Sequence, residues 1–386
     1  MNSTDKLFLL DAYALIYRSY YAFIKNPRIN SKGFNTSAIL GFVNTLEEVL
    51  KKENPTHIGV AFDPSGPTFR HEAYEQYKAQ REETPEAIRL SVPIIKDIIR
   101  AYRIPILEVS GYEADDVIGT LATEAGRQGI ITYMMTPDKD YGQLVSDNVF
   151  MYRPKHSGGF EVMGIDEIKA KFNIRSTEQV IDMLGLMGDS SDNIPGCPGV
   201  GEKTAQKLVA EFGSIENLLA HTDQLKGALK TKVEANREMI TFSKFLATIK
   251  VDVPIKLDMT TLVREEPDEE KLRKIFEELE FRTLIDRVLK KSGAPLSSSS
   301  NSVSPDLYAG TLFARPVDSP TPENNGPVQG DLFANFADNG TGNAENSNLT
   351  HLEMLDVDYQ LIDTEEKRSE IIQKLQIGRA SCRERV

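Results

Sequence analysis

Four short apolar runs in the first part of the chain each lead directly into acidic residues, and this repetition restricts the fold more than any other feature. Leu7-Phe8-Leu9-Leu10 ends at Asp11, and Ile58-Gly59-Val60-Ala61-Phe62 ends at Asp63. Ile104-Pro105-Ile106-Leu107-Glu108-Val109 is followed by Gly111-Tyr112-Glu113-Ala114-Asp115-Asp116, and the run 130–135 by Thr136-Pro137-Asp138-Lys139-Asp140. Runs of this length, separated by helical patterns, predict strands of a mostly parallel central sheet with crossover helices, an α/β fold. In open sheets of this kind ligands bind beyond the carboxyl ends of the strands. The sequence therefore predicts that seven carboxylates, Asp11, Asp63, Glu113, Asp115, Asp116, Asp138 and Asp140, converge on one edge.

A single Asp after a strand is ordinarily a turn former or a helix cap. Asp115 on its own suits the first turn of a helix predicted over 114–126. Four strand ends all delivering acids are not explained by caps, because so many carboxylates in one cleft repel each other unless cations are present. No His or Cys lies near them in sequence, so hard, oxygen-binding cations, Mg²⁺ or Mn²⁺, fit better than zinc. Such sites leave positions for water and phosphate oxygens, as metal-assisted phosphodiester hydrolysis requires. A further pair, Asp189 and Asp192, lies in Gly188-Asp189-Ser190-Ser191-Asp192-Asn193-Ile194-Pro195-Gly196. On a helical turn the two would face the same way. Asx-turn chemistry in a loop closed by Pro195 and Gly196 accounts for them equally well.

Two other segments have the composition of nucleic-acid contacts. Gly196-Cys197-Pro198-Gly199-Val200-Gly201-Glu202-Lys203-Thr204-Ala205 leads into a helix with Ala205, Leu208, Val209 and Phe212 on one face. Its glycines let backbone N–H groups approach an anion, but the spacing is not that of a nucleotide P-loop. The hairpin of a helix-hairpin-helix motif, gripping a duplex backbone through Gly199, Gly201, Lys203 and Thr204, fits it; a Gly-rich helix cap is the alternative. Residues 68–103 form a long insertion for a crossover and interleave Phe69, Arg70, Tyr74, Tyr77, Lys78, Arg81 and Arg89. Charge for phosphates and rings for bases suit single-stranded nucleic acid, while Glu72, Glu75, Glu82 and Glu83 keep a solvated helix pair in play. Thr84-Pro85 is expected to divide the insertion into two helices, with Thr84 capping the second and Pro85 at its first position.

The net charge of −13 argues against a nucleic-acid partner only until its distribution is considered. Residues 1–292 hold 38 Lys+Arg and 44 Asp+Glu, net −6, whereas 293–376 hold 4 and 13, net −9. The second stretch opens with Ser297-Ser298-Ser299-Ser300 and is poor in residues that could bury anything, so 292–350 reads as a disordered linker. Residues 351–376 regain periodicity, and 377–386 break it and resemble a translated adapter sequence. Two cysteines, Cys197 and Cys382, exclude a disulfide framework and a zinc cluster. No run approaches the ~20 apolar residues of a membrane span, and the N-terminus lacks a signal-peptide layout, so a cytoplasmic protein is expected.

Six motifs together resemble one family. They are Leu10-Asp11 with Tyr17-Arg18, Ala61-Phe62-Asp63, Tyr77-Lys78-Ala79-Gln80-Arg81, the segment 111–116, Asp138-Lys139-Asp140, and 188–196 with its following hairpin. Over residues 5–291 the chain resembles the flap endonuclease / 5′-nuclease superfamily, specifically the N-terminal 5′→3′ exonuclease region of the bacterial DNA polymerase I family. The resemblance implies a PIN-like core with a helical arch over 1–175 and a helix-hairpin-helix DNA-binding subdomain over 176–291. It also implies the start of a 3′→5′ exonuclease-like domain at 351–376, with the polymerase region absent. Asp11, Asp63, Glu113, Asp115 and Asp116 would form a first metal group, and Asp138, Asp140, Asp189 and Asp192 a second. Lys78 and Arg81 would neutralise charge at the scissile phosphate. Arg18 and Tyr77 would position unpaired nucleotides, and the hairpin would carry K⁺. The implied reaction is hydrolysis of 5′ flaps and of nicked or gapped duplex DNA without a covalent enzyme intermediate, in primer removal and repair, by a monomer.

The rivals are a PIN-type ribonuclease, which would not need the hairpin; an aspartate-based phosphatase, which would want an acid where Tyr13 stands; and a non-catalytic DNA-binding module, which loss of an acid would favour. In the linker, Gln329-Gly330-Asp331-Leu332-Phe333 resembles the peptides that replication proteins insert into the sliding clamp. Leu332 and Phe333 would be the anchors and Gln329 the polar latch. Leu312-Phe313 shows that the dipeptide also occurs outside that pattern.

Overall fold

The computed structural model describes residues 5–155 and 158–289. The expected linker, the 351–376 segment, the tail and the motif of Gln329, Leu332 and Phe333 lie outside the described residues. The first part of the chain runs β1 (Lys6–Asp11), α1 (Ala12–Ala22), α2 (Ser37–Lys52), β2 (His57–Ala61), α3 (Phe69–Ala73), α4 (Glu86–Ala101) and β3 (Ile106–Leu107). It continues through α5 (Ala114–Arg127), β4 (Ile131–Met135), a 3₁₀ turn (Lys139–Leu144), β5 (Val149–Pro154), β6 (Phe160–Met163) and α6 (Ile165–Phe172). The strand order is β3-β2-β1-β4-β5-β6. All neighbours are parallel except β5 and β6. The mostly parallel α/β sheet expected from the apolar runs is present, with β3 reduced to two residues.

β1 shows why its run is unbroken rather than alternating. Leu7 and Leu9 enter one core and Phe8 and Leu10 enter the other, so both faces of the strand are buried. Phe8 and Leu10 meet Ile16 of α1, Phe42 of α2 and Ile98 of α4 in one cluster. Leu7 and Leu9 share the other with Val117 and Leu121 of α5.

The helical part comprises α7 (Gln179–Met187), α8 (Glu202–Phe212), α9 (Ile215–Ala220), α10 (Gly227–Ala235), α11 (Arg237–Ala247), α12 (Glu269–Glu278) and α13 (Arg282–Leu289). Val180, Leu184, Leu208, Ile240 and Leu246 extend the α5 core without a break. Leu272, Phe276 and Leu284 of α12 and α13 instead return to the α1/α2/α4 face. The helices therefore cover both faces of the sheet.

The insertion after β2 is less helical than expected. Only the five residues of α3 are helical before a series of turns. Thr84 does not cap α4. Pro85, at φ −48° and ψ 137°, lies outside the helical region and is itself the cap, so the helix starts one residue later than predicted. The Thr84 hydroxyl accepts a hydrogen bond from the Tyr17 hydroxyl at 2.9 Å instead.

Candidate metal centre and nucleic-acid interface

The strand ends bring the acids to one edge, where two kinds of environment appear. Asp11 caps α1, its Oδ1 accepting from the Ala14 N–H at 3.1 Å. Its Oδ2 accepts from the hydroxyls of Thr136 (3.2 Å) and Tyr141 (3.1 Å). Burial, and then the nearby Asp63, push the Asp11 carboxyl up to about 7. Asp63 accepts from the Ala114 N–H at the head of α5 (2.7 Å), and burial raises it too. Asp138 accepts from the Asp140 N–H (3.0 Å), and burial raises its carboxyl. Asp140 is raised well above the carboxylate range by burial and then by Asp138 and Asp189. Its Oδ1 is, among the described residues, the one buried side-chain polar atom with no hydrogen-bond partner. Asp115 is raised by burial and then by Asp116.

On the side of the insertion the acids are paired. Glu113 accepts from Lys78 Nζ (2.7 Å), Tyr77 Oη (2.9 Å) and Arg70 Nη1 (3.0 Å). Asp192 accepts from Arg81 and from Tyr77 Oη (3.0 Å), with Lys78 Nζ at 3.6 Å. Asp189 pairs with Lys139 at 2.8 Å. Burial opposes ionisation of Asp192, but Lys78 and Arg81 outweigh it and hold the carboxyl at about 2. Burial likewise works against Glu113, and Lys78 and Arg70 bring it below its ordinary value. Lys78 sits at φ +57°, a conformation costly for a side-chain-bearing residue. Its N–H donates to the Asp192 carbonyl at 3.0 Å, which ties the insertion to the 188–196 loop.

That loop is a tight hairpin and not the helical turn considered for Asp189 and Asp192. Asp189 and Ile194 exchange both backbone hydrogen bonds (2.9 and 2.8 Å), and Asp189 Oδ1 accepts from the Ser191 N–H (2.7 Å) in an Asx turn. Its two ends touch backbone to backbone at Gly188 (φ +72°) and Gly196 (φ +62°). A Cβ on Gly188 would collide with the Ile194 carbonyl oxygen, and one on Gly196 with the Gly188 nitrogen.

Three expected roles need correction. Arg70 was expected to contact DNA, but it is 1% exposed. All five of its N–H donors are used: by Glu113, twice by Asp116, and by the carbonyls of Leu246 (2.9 Å) and Thr248 (2.9 Å). Asp116 was expected to hold metal, but it is 0% exposed. Its four acceptor positions are filled by two Arg70 N–H groups and by the backbone N–H groups of Glu113 and Lys250. Tyr77 was expected to position nucleotides, but it is 3% exposed with its hydroxyl shared between Glu113 and Asp192. It positions acids. Sequence reasoning gave no role to Lys139, Tyr141 or Gln143. Lys139 was detectable in principle as the base between Asp138 and Asp140; the other two carry no signal apart from the fold.

At the hairpin, Gly201 caps α8, and its carbonyl accepts from the N–H groups of Thr204 and Ala205, both at 3.0 Å. Gly199 is at φ +76°, a Cβ on Gly201 would meet nothing within 4 Å, and Lys203 is exposed. Arg18 donates to the Lys155 carbonyl at 3.1 Å.

Among the described residues no three His, Cys, Asp or Glu side chains are gathered closely enough to hold one cation as they stand. The donor chemistry nonetheless fits hard divalent cations. The donors are all oxygen, one buried carboxylate oxygen has no partner, and several carboxyls are raised by burial and then by one another. Among the described residues no helix is long and apolar enough to cross a membrane.

Residues 6–173 match the family model of the 5′-3′ exonuclease N-terminal resolvase-like domain, and 175–270 match that of the 5′-3′ exonuclease C-terminal SAM fold. DNA polymerase I of Bacillus caldotenax is 41% identical over 286 residues, covering 73% of this chain and 32% of that protein. The chain thus spans about a third of the length of this relative. A solved structure of the bacteriophage T5 5′-exonuclease with divalent metal ions (zinc) bound is 22% identical with a TM-score of 0.54, covering 71% of this chain and 99% of that one. A bacteriophage T5 flap endonuclease pseudo-enzyme–product complex with DNA and metal ions is 23% identical with a TM-score of 0.51, again over 71% and 99%. At these identities the two structures show a shared fold. The two family matches, one over the sheet and its helices and one over the helical part, follow each other without a gap of more than one residue, and the chain belongs to the 5′-3′ exonuclease family, similar to the N-terminal region of bacterial DNA polymerase I.

Proposed function

We propose that the chain is a structure-specific 5′ nuclease that hydrolyses phosphodiester bonds in 5′ flaps and in nicked or gapped DNA, in primer removal and repair as part of a DNA polymerase I. The observation that carries this reading is the juxtaposition of uncompensated buried acids with Lys78 and Arg81 on the insertion beside them. Asp11, Asp63, Glu113 and Asp115 would hold one Mg²⁺ or Mn²⁺, and Asp138, Asp140, Asp189 and Asp192 another. Such ions supply Lewis-acid polarisation of a phosphoryl oxygen and a lowered pKa for water. Lys78 and Arg81, now held by Glu113 and Asp192, would exchange those carboxylates for the scissile phosphate and stabilise the charge that develops on it. Gly199, Gly201, Lys203 and Thr204 would grip the duplex backbone, with K⁺ at the hairpin, and Arg18 would meet the unpaired strand.

The test is cleavage of a 5′-flap substrate in Mg²⁺ and in EDTA. Cleavage in Mg²⁺ alone supports the reading; flap binding without cleavage in either condition makes the chain a binding module. Tethering to a sliding clamp through Gln329, Leu332 and Phe333 is tested separately. A peptide spanning 325–338 should bind the clamp and lose binding on Leu332→Ala with Phe333→Ala.

A further inference from the structure

Three separate acid-bearing segments are fastened to one short stretch, Ser243–Lys250, at and just beyond the C-terminal end of α11. Ser243 Oγ accepts from the Gly196 N–H (2.9 Å) and so holds the base of the Asp189/Asp192 loop. The carbonyls of Leu246 and Thr248 hold Arg70, and the Lys250 N–H holds Asp116 (2.8 Å), which fixes the head of α5. The third fastening is Gln143, 8% exposed, in the 3₁₀ turn that carries Asp140. Its Nε2 donates to the carbonyls of Asp140 (3.0 Å) and Ala247 (3.0 Å), and its Oε1 accepts from the Ile249 N–H (2.9 Å).

We infer that Gln143 is a positioning residue for the acid cluster, clamping the Asp138–Asp140 turn to the end of α11 and so setting where those two carboxylates stand relative to the others. The inference rests on the nuclease reading above. Within the turn, Lys139 pairs with Asp189 (2.8 Å) and the buried Tyr141 donates to Asp11 (3.1 Å), but both partners are themselves acids of the cluster, whereas Gln143 joins the turn to backbone outside it. Asp138 bonds the N–H of its own turn, and Asp140 Oδ1 has no partner. Repulsion from Asp189, and between the two acids themselves, loads the turn. A neutral amide suits the task because it donates and accepts at one planar group and can join two backbones. A lysine or arginine there would bring a charge that competes with cations for the carboxylates. Residues that orient metal ligands from behind affect affinity by about 10–100-fold when replaced.

The experiment is a calorimetric titration of Mn²⁺ into the DNA-free protein, with thermal midpoints recorded in EDTA. The comparison uses wild type, Gln143→Leu and Gln179→Leu. Gln179 is an equally buried glutamine whose amide bonds the Arg175 N–H (2.7 Å), the Ser176 N–H (3.3 Å) and the Gly213 carbonyl (2.8 Å), none of them acid-bearing. Gln143→Leu should bind Mn²⁺ about 10–100-fold more weakly, while Gln179→Leu binds it as wild type does and loses at least as much thermal stability. Equal Mn²⁺ binding by Gln143→Leu and wild type, or equal weakening in both variants, would overturn the inference. If the leucine variant does not fold, Gln143→Glu keeps the volume and the bond from Ile249. An added carboxylate by itself would strengthen cation binding, so weakening there supports lost positioning and strengthening refutes it. A wild-type protein that takes up no Mn²⁺ would instead sink the nuclease reading itself.

Discussion

Glu113 and Asp192 stand against Lys78, Arg70 and Arg81, whereas Asp11, Asp138 and Asp140 stand mainly against other acids. The two sets line one cleft, with Glu113 buried, Asp11, Asp140 and Asp192 half-buried and Asp138 exposed, yet the equally half-buried Asp192 and Asp11 carboxyls move in opposite directions, down to about 2 and up to about 7. Burial raises both; what differs is the sign of the nearest charge. The side facing the insertion is neutralised by the protein itself, and the side at the strand ends is left for something else to neutralise. A cation can take the second set against the pull of Lys139 alone, which is itself paired with Asp189, and a phosphate can take Lys78 and Arg81 once those bases leave their acids.

Substitutions on the two sides should therefore behave differently. Asp138→Asn is expected to have the largest effect, abolishing cleavage of a 5′ flap in Mg²⁺ while flap-DNA binding is retained. Its thermal midpoint in EDTA should equal or exceed that of wild type, because a source of repulsion is gone. Asp192→Asn leaves Arg81 without its carboxylate and Lys78 with Glu113 alone, and should lower the midpoint in EDTA. If Asp138→Asn were the less stable of the two, the contrast between the sides would be broken. Lys78→Ala comes next, with a rate loss of about 10²–10³, the range for removing one transition-state donor, and a smaller effect on DNA binding. A loss confined to binding would make Lys78 a phosphate anchor only.

The acids were legible in the sequence because strands buried on both faces of a parallel sheet read as continuous apolar runs, and Asp11, Asp63, Asp138 and Asp140 each follow such a run. The division among them was not legible. Arg70 and Asp116 each looked functional by residue type, and only the folded structure, in which the end of α11 and the residues after it meet both, reveals that they satisfy each other. Their pairing spans 46 residues and has no local pattern. Gln143 fails for the same reason, since its partners at Ala247 and Ile249 lie more than a hundred residues away. Thr84 was misread for a local reason: a Pro next to a good cap residue can be the cap itself.

A third expectation concerns cations and stability. Mn²⁺ at about a hundred times its dissociation constant should stabilise the fold by roughly 2.7 kcal/mol through mass action. Thermal scans with and without the ion read this, and Asp138→Asn together with Asp140→Asn should remove most of the shift. An undiminished shift would mean that the ion binds elsewhere.

The smallest effect is a pH dependence that separates the two sides without any mutation of the bases. Asp11 has a folded-state carboxyl raised from 3.8 to about 7, so the folded state holds its proton more tightly than the unfolded chain does. Its contribution to stability is greatest below about 4 and declines as pH rises towards 7, after which it changes no further. Asp192 is lowered to about 2, so its contribution is present above about 4 and is lost only as pH falls through 2. In EDTA, the thermal midpoint of wild type should therefore carry a downward component between pH 5 and 7 that Asp11→Asn flattens, and Asp192→Asn should leave that slope in place. Saturating Mn²⁺ should also flatten it, because a bound cation replaces the proton as the partner of the strand-end acids. A slope unchanged by Asp11→Asn would mean that Asp11 is ionised across this range in the metal-free protein, and that the strand-end acids are as well compensated as those beside Lys78.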